Sequence, residues 1–130
     1  MKFIFAFLLL TSQVFAATGG DISGTVTLPK ELEKNLSPMG ALFIIARKAG
    51  PVVAGTPPLA VLRIAQPKFP QKFSIGAQNS MMGGKFEGPL SITARYTPRG
   101  DALDKSGPQG SDPKHLSVQP GQTNLTIPLK

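Results

Sequence analysis

Residues 41–47 read ALFIIAR, and this stretch decides the fold class. Its first six residues are apolar, so a strand formed here would have no polar face. Strands of that kind usually lie in the middle of a sheet and are covered on both sides. Burying each large side chain of the run stabilises the folded state by roughly 1.5–3 kcal/mol. The stretch therefore predicts a central β-strand that anchors the core.

Shorter runs on both sides of this strand alternate between apolar and polar residues. Residues 22–28 and 90–96 alternate most clearly, which predicts strands with one face against a core and one face toward water. The 14 glycines and 13 prolines separate the runs as turns do. Further strands are predicted at residues 59–64, 71–75, 115–118 and 124–129, and a single helical turn at residues 30–36. The pattern predicts an all-β protein, an antiparallel two-sheet sandwich of about seven strands, with a small barrel as the alternative.

The first sixteen residues have the features of an export signal. A lysine at the second position precedes the apolar run 3–10, and residues 14–16 (VFA) suit signal peptidase. The run is shorter than the roughly 20 residues of a membrane-spanning helix. We expect a signal peptide at residues 1–16 and a β-sandwich domain at residues 17–130, exported to the periplasm of a Gram-negative bacterium. A retained anchor is the alternative.

Composition argues against several classes of function. The formal charge of +7 is scattered along the chain, with one tyrosine and no tryptophan, whereas nucleic-acid binding usually combines a basic cluster with stacking aromatics. The chain has no cysteine and a single histidine, His115. Nucleophilic catalysis needs a nucleophile, a base and an orienting group together, and no serine lies in a Gly-x-Ser-x-Gly motif. We predict no catalytic residue, no cofactor and no nucleic-acid partner.

Metal binding is a weak alternative. Thioethers and imidazole can hold copper(I), and Met81, Met82 and His115 are the candidate ligands. A methionine beside two glycines is more typical of a side chain that fills a gap under a loop. The aspartates of the long polar loop at residues 98–113 do not have the spacing of an EF-hand. We therefore predict no metal site and keep a small periplasmic copper carrier as an alternative function.

Six stretches carry a resemblance to a known family. They are DISGTVTL (21–28), ALFIIAR (41–47), PLAVLR (58–63), KFSI (72–75), GPLSITAR (88–95) and GDA (100–102). In order and spacing they resemble the periplasmic C-terminal Ig-like domain of the cytochrome c-type biogenesis protein H family, over residues 21–129. Members hold unfolded apocytochrome and present it to the haem ligation machinery. The resemblance implies an Ig-like sandwich, here as a stand-alone exported domain, whose partner is apocytochrome c or the assembly machinery.

A sandwich can bind a chain without special side chains. Its edge strands expose backbone donors and acceptors, and an extended peptide can add there as a further strand. The segment around Met81, Met82 and Phe86 offers an adaptable apolar contact, and Arg95 lies on the polar face of its strand. These four residues are the predicted partner-binding positions, and the loop at residues 98–113 is a second candidate. An accessory structural subunit of an envelope complex remains an alternative.

Overall fold

The computed structural model describes residues 20–51, 56–81 and 85–130, and its elements form two packed sheets. The proposed signal peptide lies outside these residues. The predicted all-β sandwich is confirmed. Within the described part, no helix is both long and apolar enough to cross a membrane. The strands are β1 Ile22–Thr27, β2 Ala41–Lys48, β3 Ala60–Ala65, β4 Gln71–Ile75, β5 Leu90–Thr97, β6 Gln109–Ser111 and β7 Leu125–Pro128, with 3₁₀ helices at Lys30–Asn35 and Ala77–Asn79.

The larger sheet has the strand order β3-β2-β5-β6 and the smaller one β4-β1-β7. β2 pairs antiparallel with both β3 and β5, and its register with β5 runs from Ala41 opposite Thr97 to Lys48 opposite Leu90. The predicted central position of the ALFIIAR strand is therefore confirmed. The pairing of β1 with β7 is parallel, so one strand pair departs from the predicted antiparallel arrangement.

The main core lies between the sheets, where alternate residues of each strand meet. Its fully buried large side chains include Ile22 and Val26 of β1, Leu42 and Ile44 of β2, Leu90 and Tyr96 of β5, and Leu125 and Ile127 of β7. A second, small cluster lies on the outer face of the larger sheet. It consists of Ala41, Phe43 and Ile45, with Val61 packed against it, so β2 is buried on both faces as its sequence indicates.

Two predictions at the carboxyl-terminal end differ from the structure. The stretch predicted as a polar loop contains β6, which pairs with β5 through Gly110 and its neighbours. The Gln-Gly-Ser sequence of β6 has no apolar alternation. This strand forms because the backbone groups of β5 on the side away from β2 can hydrogen-bond to any adjacent backbone. The strand predicted at residues 115–118 is only an isolated bridge between Leu90 and Val118.

Candidate protein-binding edge

One long side of the sandwich is closed by the end of the chain. The backbone N–H of Gln109 donates to the carbonyl of Lys130, and the N–H of Lys130 donates back, both at 3.2 Å. Gly110 lies so close to Pro128 that a Cβ there would collide with the Pro128 carbonyl. The outer edge of β6 is therefore already used, and the two sheets are joined on this side.

A buried carboxylate holds the same side together. Asp112, directly after β6, accepts hydrogen bonds at 2.9 Å from the N–H of Thr126 in β7 and at 2.8 Å from the N–H of Lys114. Its other contact is the Nδ1 atom of His115, also at 2.9 Å. Burial raises the pKa of Asp112, but the hydrogen bonds from Thr126, His115 and Lys114 outweigh it and hold that pKa below 3.8.

The opposite side of the sandwich has a free strand edge. The N–H of Gln66 donates to the carbonyl of Gly40 at 3.0 Å. This bond shows which residues of β3 form hydrogen bonds with β2. In an antiparallel pair only alternate residues exchange hydrogen bonds with the partner strand. The backbone groups of Leu62 and Ile64 therefore face β2, whereas those of Arg63 and Ala65 point away from the sheet.

Only the beginning of this edge is hydrogen-bonded to the described chain, and the 3₁₀ helix Ala77–Asn79 packs against β3. The N–H of Met81 donates to the carbonyl of Leu59 at 2.9 Å, and Ser80 forms an isolated antiparallel bridge with Ala60. Farther along β3, none of the hydrogen bonds that described residues make outside the strand ladders reaches the backbone of Arg63 or Ala65. The free edge, as we use the term below, is residues 62–65.

The free edge also leaves apolar side chains partly uncovered. Leu62 and Ile64 point toward the main core but are only half-buried. On β4, the other open edge, the corresponding inward residues Phe73 and Ile75 are 5% and 0% exposed. An additional strand beside β3 would therefore bury apolar surface as well as pair with backbone groups. A strand added beside β4 would bury little apolar surface.

The outer face of the larger sheet carries a row of arginine, phenylalanine and arginine. Phe43 of β2 lies opposite Arg63 of β3 on one side and Arg95 of β5 on the other. The Arg63 guanidinium lies over the Phe43 ring, with its carbon 5.9 Å from the ring centroid. Arg95 donates from Nη2 to the carbonyl of Ala102 at 2.6 Å. The row is next to the free edge.

The predicted partner-binding residues do not form one site. Met81 is 41% exposed beside the start of β3, and Met82 lies outside the described residues. Phe86 is 3% exposed and belongs to the main core, which removes it from a contact surface, because its aromatic side chain packs between the sheets. Arg95 lies on the outer face, two strands away from the β3 edge.

The alternative copper ligands lie on opposite sides. Met81 is at the β3 edge, whereas His115 is bound to Asp112 beyond β6. Three strands separate Ser80 from Val118 in the sheet, so these two residues are roughly 19 Å apart by strand spacing. Within the described ranges, no group of three or more His, Cys, Asp or Glu residues could hold a metal ion. The copper carrier stays a prediction without structural support from Met81 and His115.

Sequence reasoning missed Arg63, Leu62 and Ile64 as functional candidates. The apolar stretch of residues 59–64 predicts a strand but does not indicate that it is an edge strand. Edge position depends on which strands pair, and no local pattern encodes that. The one available signal is Arg63 itself, because charged residues are common on edge strands, where they oppose aggregation.

Comparison with known proteins identifies one family and one similar structure. The family described as the cytochrome c-type biogenesis protein H Ig-like domain matches residues 22–128. No curated protein matches the chain by sequence. The structure of an alternative pilotin from the type II secretion system of Vibrio cholerae matches with a TM-score of 0.51 and 13% identity, covering 85% of this chain and 96% of that chain. At that identity the likeness shows the fold alone.

Proposed function

Because the chain belongs to the family of cytochrome c-type biogenesis protein H Ig-like domains, we propose that it assists c-type cytochrome assembly by binding an unfolded apocytochrome c. Membership implies a role in cytochrome c-type biogenesis, and the family is one of assembly domains. The proposal adds the client, the binding mode and a role without catalysis. It also includes export through residues 1–16 and action in the periplasm.

The free edge of β3 is the observation that carries this proposal. A main-chain ladder at Arg63 and Ala65 would bind an extended chain with few demands on its sequence, which suits an unfolded client. The half-buried Leu62 and Ile64 would pack against apolar side chains of the added strand. A folded, haem-loaded cytochrome has no extended segment available for this pairing and would not bind.

Binding of apocytochrome c to the purified chain tests the proposal. We expect the apo form to bind at tens of micromolar or below and the folded holo form not to bind. Ala65→Pro removes one of the two outward N–H groups of the free edge, and should weaken apocytochrome binding at least tenfold. The loss of stability should be small, because proline is tolerated on edge strands.

Lys72→Pro is the matched control. The N–H of Ser23 in β1 donates to Gln122, away from β4. Alternate residues of β1 therefore hydrogen-bond to Gln71 and Phe73 of β4, and the backbone N–H of Lys72 between them points outward. This variant should bind apocytochrome as the unmodified chain does. Equal loss in both variants would refute the β3 edge as the site, and absence of any binding at tens of micromolar would refute the proposed function.

A further inference from the structure

We propose that the outer face of the larger sheet binds an acidic, extended segment of a protein partner through Arg63, Arg95 and Arg99. This inference rests on the proposed function in one respect, that the chain binds a protein. It concerns a different surface and a defined ligand chemistry. We call this surface the arginine face, meaning these three arginines together with Phe43 between the first two.

The strands of the outer face carry positive charge without acidic side chains. Their outward residues include Arg47 of β2, Arg63 of β3 and Arg95 of β5, and none is Asp or Glu. Across the described ranges, no arginine lies within 4.0 Å of a carboxylate, since the single ion pair there joins His115 and Asp112. The charges of the arginine face are therefore not neutralised by contact.

The guanidinium groups also have N–H donors without an acceptor among the described residues. An arginine has five N–H donors, yet Arg95 has one hydrogen-bond acceptor among the described residues, the carbonyl of Ala102. Its Nε also has no partner in the described structure, but this atom is buried and does not itself face solvent. Arg63 makes its cation–π contact with Phe43, and no described acceptor. Carboxylates match such groups well, because guanidinium and carboxylate can form two parallel hydrogen bonds.

A loop from β5 forms the rim of the arginine face and is held against it. Gly100 has φ +75°, and a Cβ there would lie 2.7 Å from the Met39 carbonyl and 2.9 Å from Nη2 of Arg63. Glycine thus permits both the left-handed backbone and the close approach. The loop carries exposed Arg99 and Leu103, and the Leu103 side chain is 85% exposed. An apolar side chain is thereby displayed beside the basic groups.

The acidic residues of the same loop are engaged locally. Asp101 accepts a hydrogen bond from the N–H of Leu103 at 2.9 Å. Asp104 accepts from the hydroxyl and the N–H of Ser106, and these hydrogen bonds lower the pKa of Asp104, with smaller contributions from Arg99 and Arg95. Both carboxylates are held by the loop's own donors, and neither forms an ion pair with an arginine of this face.

The spacing of the row matches that of an extended peptide. Arg63 and Arg95 are two strands apart, which places their backbones roughly 10 Å from one another. In a polyproline II segment, residues i and i+3 share a face and are about 9 Å apart. Two acidic residues three positions apart, with an apolar residue between them, would match the two arginines and Leu103.

A short labelled peptide provides the test. The probe is Gly-Pro-Glu-Pro-Leu-Glu-Pro-Gly with a fluorophore at its amino end, titrated with the full chain at low ionic strength. Two peptides serve as comparisons, one with both glutamates replaced by glutamine and one with the same composition but adjacent glutamates. We expect measurable binding of the probe, at least tenfold weaker binding of the glutamine peptide, and weaker binding of the adjacent-glutamate peptide.

Protein variants locate the site. Arg63→Gln/Arg99→Gln should weaken probe binding about tenfold, and Arg99→Gln alone should weaken it about threefold without touching the Phe43 contact. The control Lys72→Gln/Lys114→Gln removes the same charge from exposed positions elsewhere and should change binding less than twofold. Equal effects of the two double variants, or no preference for glutamate, would overturn the proposal.

Two further outcomes would also overturn it. Binding to vesicles of phosphatidylcholine and phosphatidylglycerol that depends on Arg63 and Arg99, without peptide binding, would assign the arginine face to a membrane. The second outcome combines two results: the acidic peptide does not bind, whereas apocytochrome binds the unmodified chain and not the Ala65→Pro variant. That outcome would reject this inference and leave the proposed function standing.

Discussion

The two long sides of the sandwich differ in whether the backbone groups on the outer side of their edge strands are hydrogen-bonded. On one side β6 pairs with the chain around Lys130, and Asp112 ties the following turn to β7. On the other side β3 keeps outward backbone groups at Arg63 and Ala65, with half-buried apolar side chains beside them. One side thus has its edge closed by hydrogen bonds and the other does not, and this is why we propose the open side as the place for a partner.

Breaking the closed side should have the largest effect. Gly110→Val places a side chain against the Pro128 carbonyl, and forced overpacking against backbone costs about 3 kcal/mol. Urea unfolding should show this loss of stability. Ala65→Val is the control on the open side, where the residue is exposed, and should change stability by less than about 0.5 kcal/mol. Equal losses would contradict the contrast between the sides.

Asp112→Asn should destabilise the protein by about 2 kcal/mol at pH 7, because one partly buried N–H donor, of Thr126 or Lys114, loses its acceptor. The pKa of Asp112 is lowered in the folded state, so its stabilising contribution is present above pH 3.8 and is lost as the pH falls through the lowered value. The difference between the two proteins should therefore shrink in acid. A difference independent of pH would rule out the ionised carboxylate as the cause.

On the open side, Leu62→Ala should cost about 1 kcal/mol, below the 2–5 kcal/mol typical of a fully buried leucine, because Leu62 is only half-buried. Leu125→Ala, at a buried position of β7, gives the matched comparison and should fall within that range. Thermal or urea unfolding measures both. A loss at Leu62 as large as that at Leu125 would mean that the β3 edge is already covered.

The smallest effect is expected from Arg63→Ala. Removal of the contact with Phe43 should cost about 0.5 kcal/mol, as for an exposed cation–π pair. A double-mutant cycle with Phe43→Leu isolates the pairwise contribution. A coupling energy near zero would show that the guanidinium is held over the ring without stabilising the fold, and a coupling above 2 kcal/mol would make Arg63 a structural residue.

Much of the fold was predictable because strand patterns are local. The apolar run of β2 and the alternation of β1 and β5 follow from which side chains must leave water, and residues 71–75 were predicted with the observed bounds of β4. The strand β6 was not predictable, since its Gln-Gly-Ser sequence forms a strand only because β5 presents an open edge. Phe86 was predicted as a contact and proved to be core, because a lone aromatic residue carries no periodicity.

The sequence by itself determined that this chain is an all-β sandwich with a central ALFIIAR strand, and it indicated the family. Tertiary structure alone decided that β3 is an edge, that the end of the chain closes the other side, and that Arg63, Phe43 and Arg95 stand in one row. The physical reason is the separation along the chain between the residues that interact. Burial patterns depend on neighbouring residues. Strand order and register arise from pairings between distant segments, whose backbone hydrogen bonds are the same for any sequence.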